Sequence, residues 1–113
     1  MKWDEIKSLL NSIDDPVIKL ETLMDIGKSL PPIPDGQIGT EITGCASKVE
    51  IYNAPDNKLY GKADSALVRG ILAVLLAIKE SCVDFDEFHK LGINLGSGRL
   101  MGTASMIEYL KSL

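Results

Sequence analysis

The chain has 113 residues, with 12 Lys and Arg against 16 Asp and Glu and a formal net charge of −4. That length fits one domain over 1–113, and 45% apolar with 25% charged residues excludes disorder, collagen repeats and low complexity. An acidic chain with scattered Lys and Arg is a poor match for phosphate backbones, so no nucleic-acid partner is expected. The longest unbroken apolar run, 71–78, is far short of the roughly 20 residues that cross a bilayer, so no membrane partner is expected either. No basic N-region leads into an apolar stretch, which makes the expected location cytoplasmic.

Residues 1–30 read as helix. Trp3, Ile6, Leu9, Leu10 and Ile13 recur at helical spacing until Asp14-Asp15-Pro16 interrupts them. Asp15 is placed to cap a second helix with Pro16 at its first position, where a missing N–H costs nothing. Val17, Leu20, Leu23, Met24 and Gly27 carry that helix to the prolines at 31, 32 and 34, which must end it. After a polar loop over 35–39 the period changes. Ile42 lies in a short extended segment, 48–52 alternates polar and apolar, 53–57 is turn chemistry and 59–63 supplies a returning strand.

From Asp64 the helical period returns. Asp64 or Ser65 caps a helix running to about Ser81, apolar on nearly every side and therefore central. Gly70 inside it costs about 1 kcal/mol relative to Ala, which predicts a close backbone approach. A short helix is expected over 84–91. Ser97 is read as the cap of a last helix over 98–111 that buries Leu100, Ala104, Ile107 and Leu110. Three antiparallel strands between helical ends make this an α+β fold.

One place looks like chemistry. Thr43-Gly44-Cys45-Ala46-Ser47 joins two strands, with Cys45 after a glycine and among small side chains. Gly44 permits backbone conformations other residues disfavour, small neighbours leave room for an approaching sulfur, and turn amides stabilise a thiolate. The competing reading is an ordinary small buried cysteine. The other thiol, Cys82, is expected to pack beside the core helix as a small hydrophobe. His89, the single histidine, is expected to be solvated near Glu87 and Lys90. There is no CxxC pair, and two thiols with one imidazole do not close a four-ligand zinc site unaided. With no evident general base, hydrolysis is disfavoured, whereas exchange between sulfurs needs only a thiolate and access. Asp84, Asp86 and Glu87 lack the EF-hand pattern, and Gly96-Ser97-Gly98 lacks a preceding strand and a Walker lysine.

Gly44-Cys45-Ala46-Ser47-Lys48-Val49 resembles the Gly-Cys-x-Ser-x-Val motif of the SufE family, the sulfur acceptors of cysteine desulfurases. Three further blocks resemble the family in order: Ile26-Gly27-Lys28-Ser29-Leu30-Pro31 ahead of the motif, Ala63-Asp64-Ser65-Ala66-Leu67-Val68-Arg69-Gly70 at a helix start, and Ser97-Gly98-Arg99-Leu100-Met101-Gly102 before the last helix.

The resemblance implies a small three-stranded sheet packed by helices from both chain ends. It also implies a sulfur carrier that takes sulfane sulfur from a pyridoxal-phosphate (PLP)-dependent cysteine desulfurase as a persulfide on Cys45, stimulates that enzyme, and passes the sulfur to an iron–sulfur scaffold complex. Such a carrier is a co-substrate and activator more than a complete catalyst, and no cofactor or metal of its own is expected. Asp64 and Arg99 match two polar positions of the family pattern. Arg99 is expected to favour the anionic persulfide, and Asp64 to cap the core helix and hold the loop. The alternatives are an iron–sulfur cluster scaffold, which needs several converging ligands, and a desulfurase-binding module in which Cys45 does not react.

Overall fold

The computed structural model describes residues 1–44 and 48–113, and of residues 97–100 the backbone alone. Among these, five α-helices and one three-stranded antiparallel sheet form an α+β fold.

Helix α1 (Trp3–Asn11) buries Trp3, Ile6 and Leu10 on one face, while Leu9 is exposed. Helix α2 (Pro16–Ile26) starts as its sequence predicts: the Asp15 carboxylate accepts from the Val17 and Ile18 amides at 2.8 and 3.2 Å, with Pro16 in the first turn. Its buried side chains are Leu23 and Ile26, and Val17, Ile18 and Met24 face solvent. The helix then tightens into a 3₁₀ turn, Gly27–Ser29, closed by the Ser29 hydroxyl donating to the Ile26 carbonyl at 2.6 Å. The proline segment is tied to the sheet where the Gly61 amide donates to the Pro31 carbonyl at 2.9 Å.

Strands β1 (Thr40–Glu41), β2 (Val49–Asn53) and β3 (Leu59–Ala63) pair in chain order. In the register Thr40 faces Ile51, Glu41 faces Glu50, Glu50 faces Lys62 and Tyr52 faces Tyr60. Val49, Ile51, Leu59 and Ala63 turn inward, and β3 lies against helix α3 (Ala66–Glu80). Glu41, Glu50, Tyr52, Tyr60 and Lys62 occupy the outer face.

Helix α3 is the centre of the core, with every residue from Gly70 to Ile78 buried. Its N-cap is Ser65, whose hydroxyl accepts from the Val68 amide at 3.5 Å. The Asp64 side chain is thus not the cap, because Asp64 lies one residue before the capping position. At Gly70 an added Cβ would overlap the Leu23 carbonyl oxygen, and one at Gly27 would lie 2.7 Å from the Gly70 amide nitrogen. The two backbones therefore touch where α2 crosses α3, which is the close approach predicted at Gly70.

Past α3 the chain turns at Cys82, which is exposed and has φ +56°. The Val83 amide reaches back to the Ile78 carbonyl at 3.2 Å and the Cys82 amide to that of Lys79 at 3.1 Å. Cys82 fills the left-handed position that ends a helix, usually a glycine, and does not pack in the core as expected.

The short helix α4 (Asp86–His89) carries the buried Phe88 and the exposed His89. Helix α5 (Gly96–Lys111) begins before Ser97, so Ser97 lies inside the helix and is not its cap. Its buried residues include Gly102, Thr103, Met106, Ile107 and Leu110, whereas Ala104 is exposed. No helix among the described residues is long and apolar enough to cross a membrane.

Candidate functional site

The β1–β2 connection is held at both ends. On the entry side the Ile42 amide donates to the Val49 carbonyl at 2.9 Å, which continues the strand pairing past Glu41. On the exit side the Asp64 amide donates to the Lys48 carbonyl at 3.3 Å, so the end of β3 clips the start of β2. Between these bonds Gly44 has φ +88°, in the left-handed range that a side chain disfavours. A Cβ there would stand 2.6 Å from the Ser105 hydroxyl of α5, so the loop backbone is pressed against that helix. The Ser105 hydroxyl in turn donates to the Met101 carbonyl one turn earlier, at 3.2 Å.

Cys45, Ala46 and Ser47 lie outside the described residues. Their neighbours on both sides do not: Gly44 is seated on α5 and Lys48 is bonded to the Asp64 backbone. Asp64 is thus bonded through its main chain to Lys48, just after the loop, while its side chain is exposed. The Arg99 backbone belongs to the beginning of α5, six residues before Ser105 and so about 9 Å from it along the axis. The side chain of Arg99 is outside the description. The chain segments bearing Asp64 and Arg99 are thus the ones that flank or seat this loop.

Beside the loop lies a groove of about 330 Å³ between β1 and α5. One wall is Glu41, Ile42 and Thr43; the other is Ser105, Glu108, Tyr109 and Ser112, one face of the helix. Glu41 and Glu108 form no ion pair with any described residue, and Glu41 faces Glu50 across the sheet. Sequence reasoning missed this groove. A mixed polar strip at helical spacing reads as a solvent face, and only the tertiary fold turns it toward a strand. Among the described residues, no three His, Cys, Asp or Glu side chains gather as a metal site.

Comparison with known proteins agrees with this architecture. A SufE family model, described as an Fe-S metabolism associated domain, matches residues 4–113. The chain belongs to the SufE family. An uncharacterised SufE-like protein of Rhizobium meliloti (strain 1021) is 31% identical, over 96% of this chain and 91% of that protein. The chloroplastic/mitochondrial SufE-like protein 1 of Arabidopsis thaliana is 35% identical over 66% of the chain and 22% of that protein. The sulfur acceptor protein CsdE of Escherichia coli (strain K12) is 37% identical over 55% of the chain and 46% of CsdE. In this SufE-family chain, Gly44, the glycine of the Gly-Cys motif, follows β1 at the point where the backbone approaches α5.

Proposed function

We propose that this protein is a cytoplasmic sulfur carrier. It takes sulfane sulfur from a PLP-dependent cysteine desulfurase as a persulfide on Cys45, relieves that enzyme for another turnover, and passes the sulfur to an iron–sulfur scaffold complex. The observation that carries this reading is the seat of Gly44, a left-handed residue whose added Cβ would stand 2.6 Å from the Ser105 hydroxyl, directly before the only cysteine of the strand connection. Membership of the SufE family and the similarity to a sulfur acceptor protein support it.

The chemistry is an exchange between sulfurs. The Cys45 thiolate attacks the terminal sulfur of the donor persulfide; one S–S bond forms on Cys45 as the donor's S–S bond breaks. The donor cysteine leaves as a thiolate and the sulfane sulfur keeps its oxidation state, so no external oxidant or reductant is consumed. A nearby cation favours the charged form of such a group, and that is the role assigned to Arg99. Asp64 keeps the exit of the loop in place through its amide.

The test is the turnover of the desulfurase with and without this protein. The wild-type chain is expected to raise turnover and Cys45→Ser to lose that effect. Full stimulation by Cys45→Ser would replace the carrier with a docking module whose thiol does not react.

A further inference from the structure

Strand β1 is an edge of the sheet, and its pairing pattern fixes which of its groups have no partner among the described residues. The Ile42 amide points inward to Val49, so alternation in an antiparallel ladder turns the amide and carbonyl of Glu41 away from β2. An unpaired edge is a template for another extended chain. Here it opens onto the groove whose far wall is α5, and the Gly44–Ser105 contact marks the end nearest Cys45.

The charges name the chemistry of the occupant. Glu41 on the strand and Glu108 on the helix both line the groove without an ion pair to a described residue, and Glu41 also lies directly opposite Glu50. Like charges facing one another across a sheet are destabilising, and a cation between Glu41 and Glu108 would offset that repulsion. Ile42 and Tyr109 add apolar surface to the lining.

We infer that an extended, basic segment of the sulfur-donating protein adds to the free edge of β1 as a fourth strand, with Lys or Arg side chains between Glu41 and Glu108. This rests on the carrier reading above and gives it a docking mode: the strand delivers the donor sulfur to the groove end where Cys45 follows Gly44.

The experiment compares two routes to the Cys45 persulfide by intact mass, one from the cysteine desulfurase with L-cysteine and one from inorganic polysulfide, which needs no docking. Glu41→Pro removes the outward amide, a change an edge strand tolerates where that N–H faces solvent. Glu41→Lys/Glu108→Lys reverses the groove charge, and Glu21→Lys/Glu80→Lys makes the same net change on exposed sites elsewhere.

The ratio of enzyme-driven to polysulfide-driven labelling is expected to fall about tenfold or more in the first two variants and to hold in the third. Amide exchange at Glu41 is expected to slow in the complex with the desulfurase. If the wild-type chain takes sulfur from the desulfurase and the groove variants match the Glu21/Glu80 control, strand addition is overturned and the carrier reading stands. If the wild-type chain takes none, the carrier reading falls first.

Discussion

Gly44 and Ser105 lie close together at one end of the groove: a methyl group on the Gly44 Cα would lie 2.6 Å from the Ser105 hydroxyl and 3.6 Å from its Cβ. Two separate constraints therefore meet at Gly44, the contact itself and the positive φ. Gly44→Ala is expected to cost about 1–3 kcal/mol in chemical denaturation. Ser105→Ala removes the nearer atom, so the double variant should recover roughly 0.5 kcal/mol or more, the steric share, and keep the backbone share. Strict additivity of the two changes would contradict a direct contact.

At the crossing of α2 and α3 the sign of a substitution is decided by packing against propensity. Ala is the better helix former by about 1 kcal/mol at an interior position. At Gly70, however, its methyl overlaps the Leu23 carbonyl, and backbone cannot rotate away as a side chain can. Gly70→Ala is expected to destabilise by roughly 1–3 kcal/mol, read as a lower denaturation midpoint. A gain in stability would show that the helices separate freely.

Cys82 gives the opposite sign. It holds φ +56° at the end of α3 and is exposed, so Cys82→Gly relieves the backbone without losing core contacts. The expected gain is about 1 kcal/mol. The variant also leaves Cys45 as the single thiol, and any remaining rapid alkylation then reports on Cys45 alone.

Asp15 accepts two amide hydrogen bonds at the start of α2. Asp15→Ala is expected to cost about 1 kcal/mol, and Asp15→Asn a smaller amount because the amide oxygen still caps. Thermal unfolding of the three chains orders them.

Local chemistry made most of the fold legible. Capping at Asp15, the proline stop and the bounds of β3 are set by neighbours in sequence, and the structure places them as their residues predict. The uniform apolarity of α3 likewise left it nowhere but the centre. The errors fall where tertiary packing overrides hydropathy. On α5, Ile107 and Leu110 are buried as their spacing predicts, but the polar Thr103 is fully buried in place of the apolar Ala104, which faces the groove between α4 and α5; the Leu100 side chain lies outside the described residues. Cys82 looked like core because it follows an apolar helix, but the turn that ends α3 carries it outward. Exposed Val17 and Met24 on α2 are a further case. Of the site, the glycine and cysteine of the motif were visible in sequence, while the groove required α5 to be laid beside β1.

Sulfur transfer by this protein requires Cys45 to receive the sulfur. In a Cys82→Gly background, incubation with the desulfurase and L-cysteine should add about 32 Da to the intact chain, removable by reductant. The same chain with Cys45→Ser should gain nothing. Label retained after Cys45→Ser, or no label on the parent chain, would contradict the account.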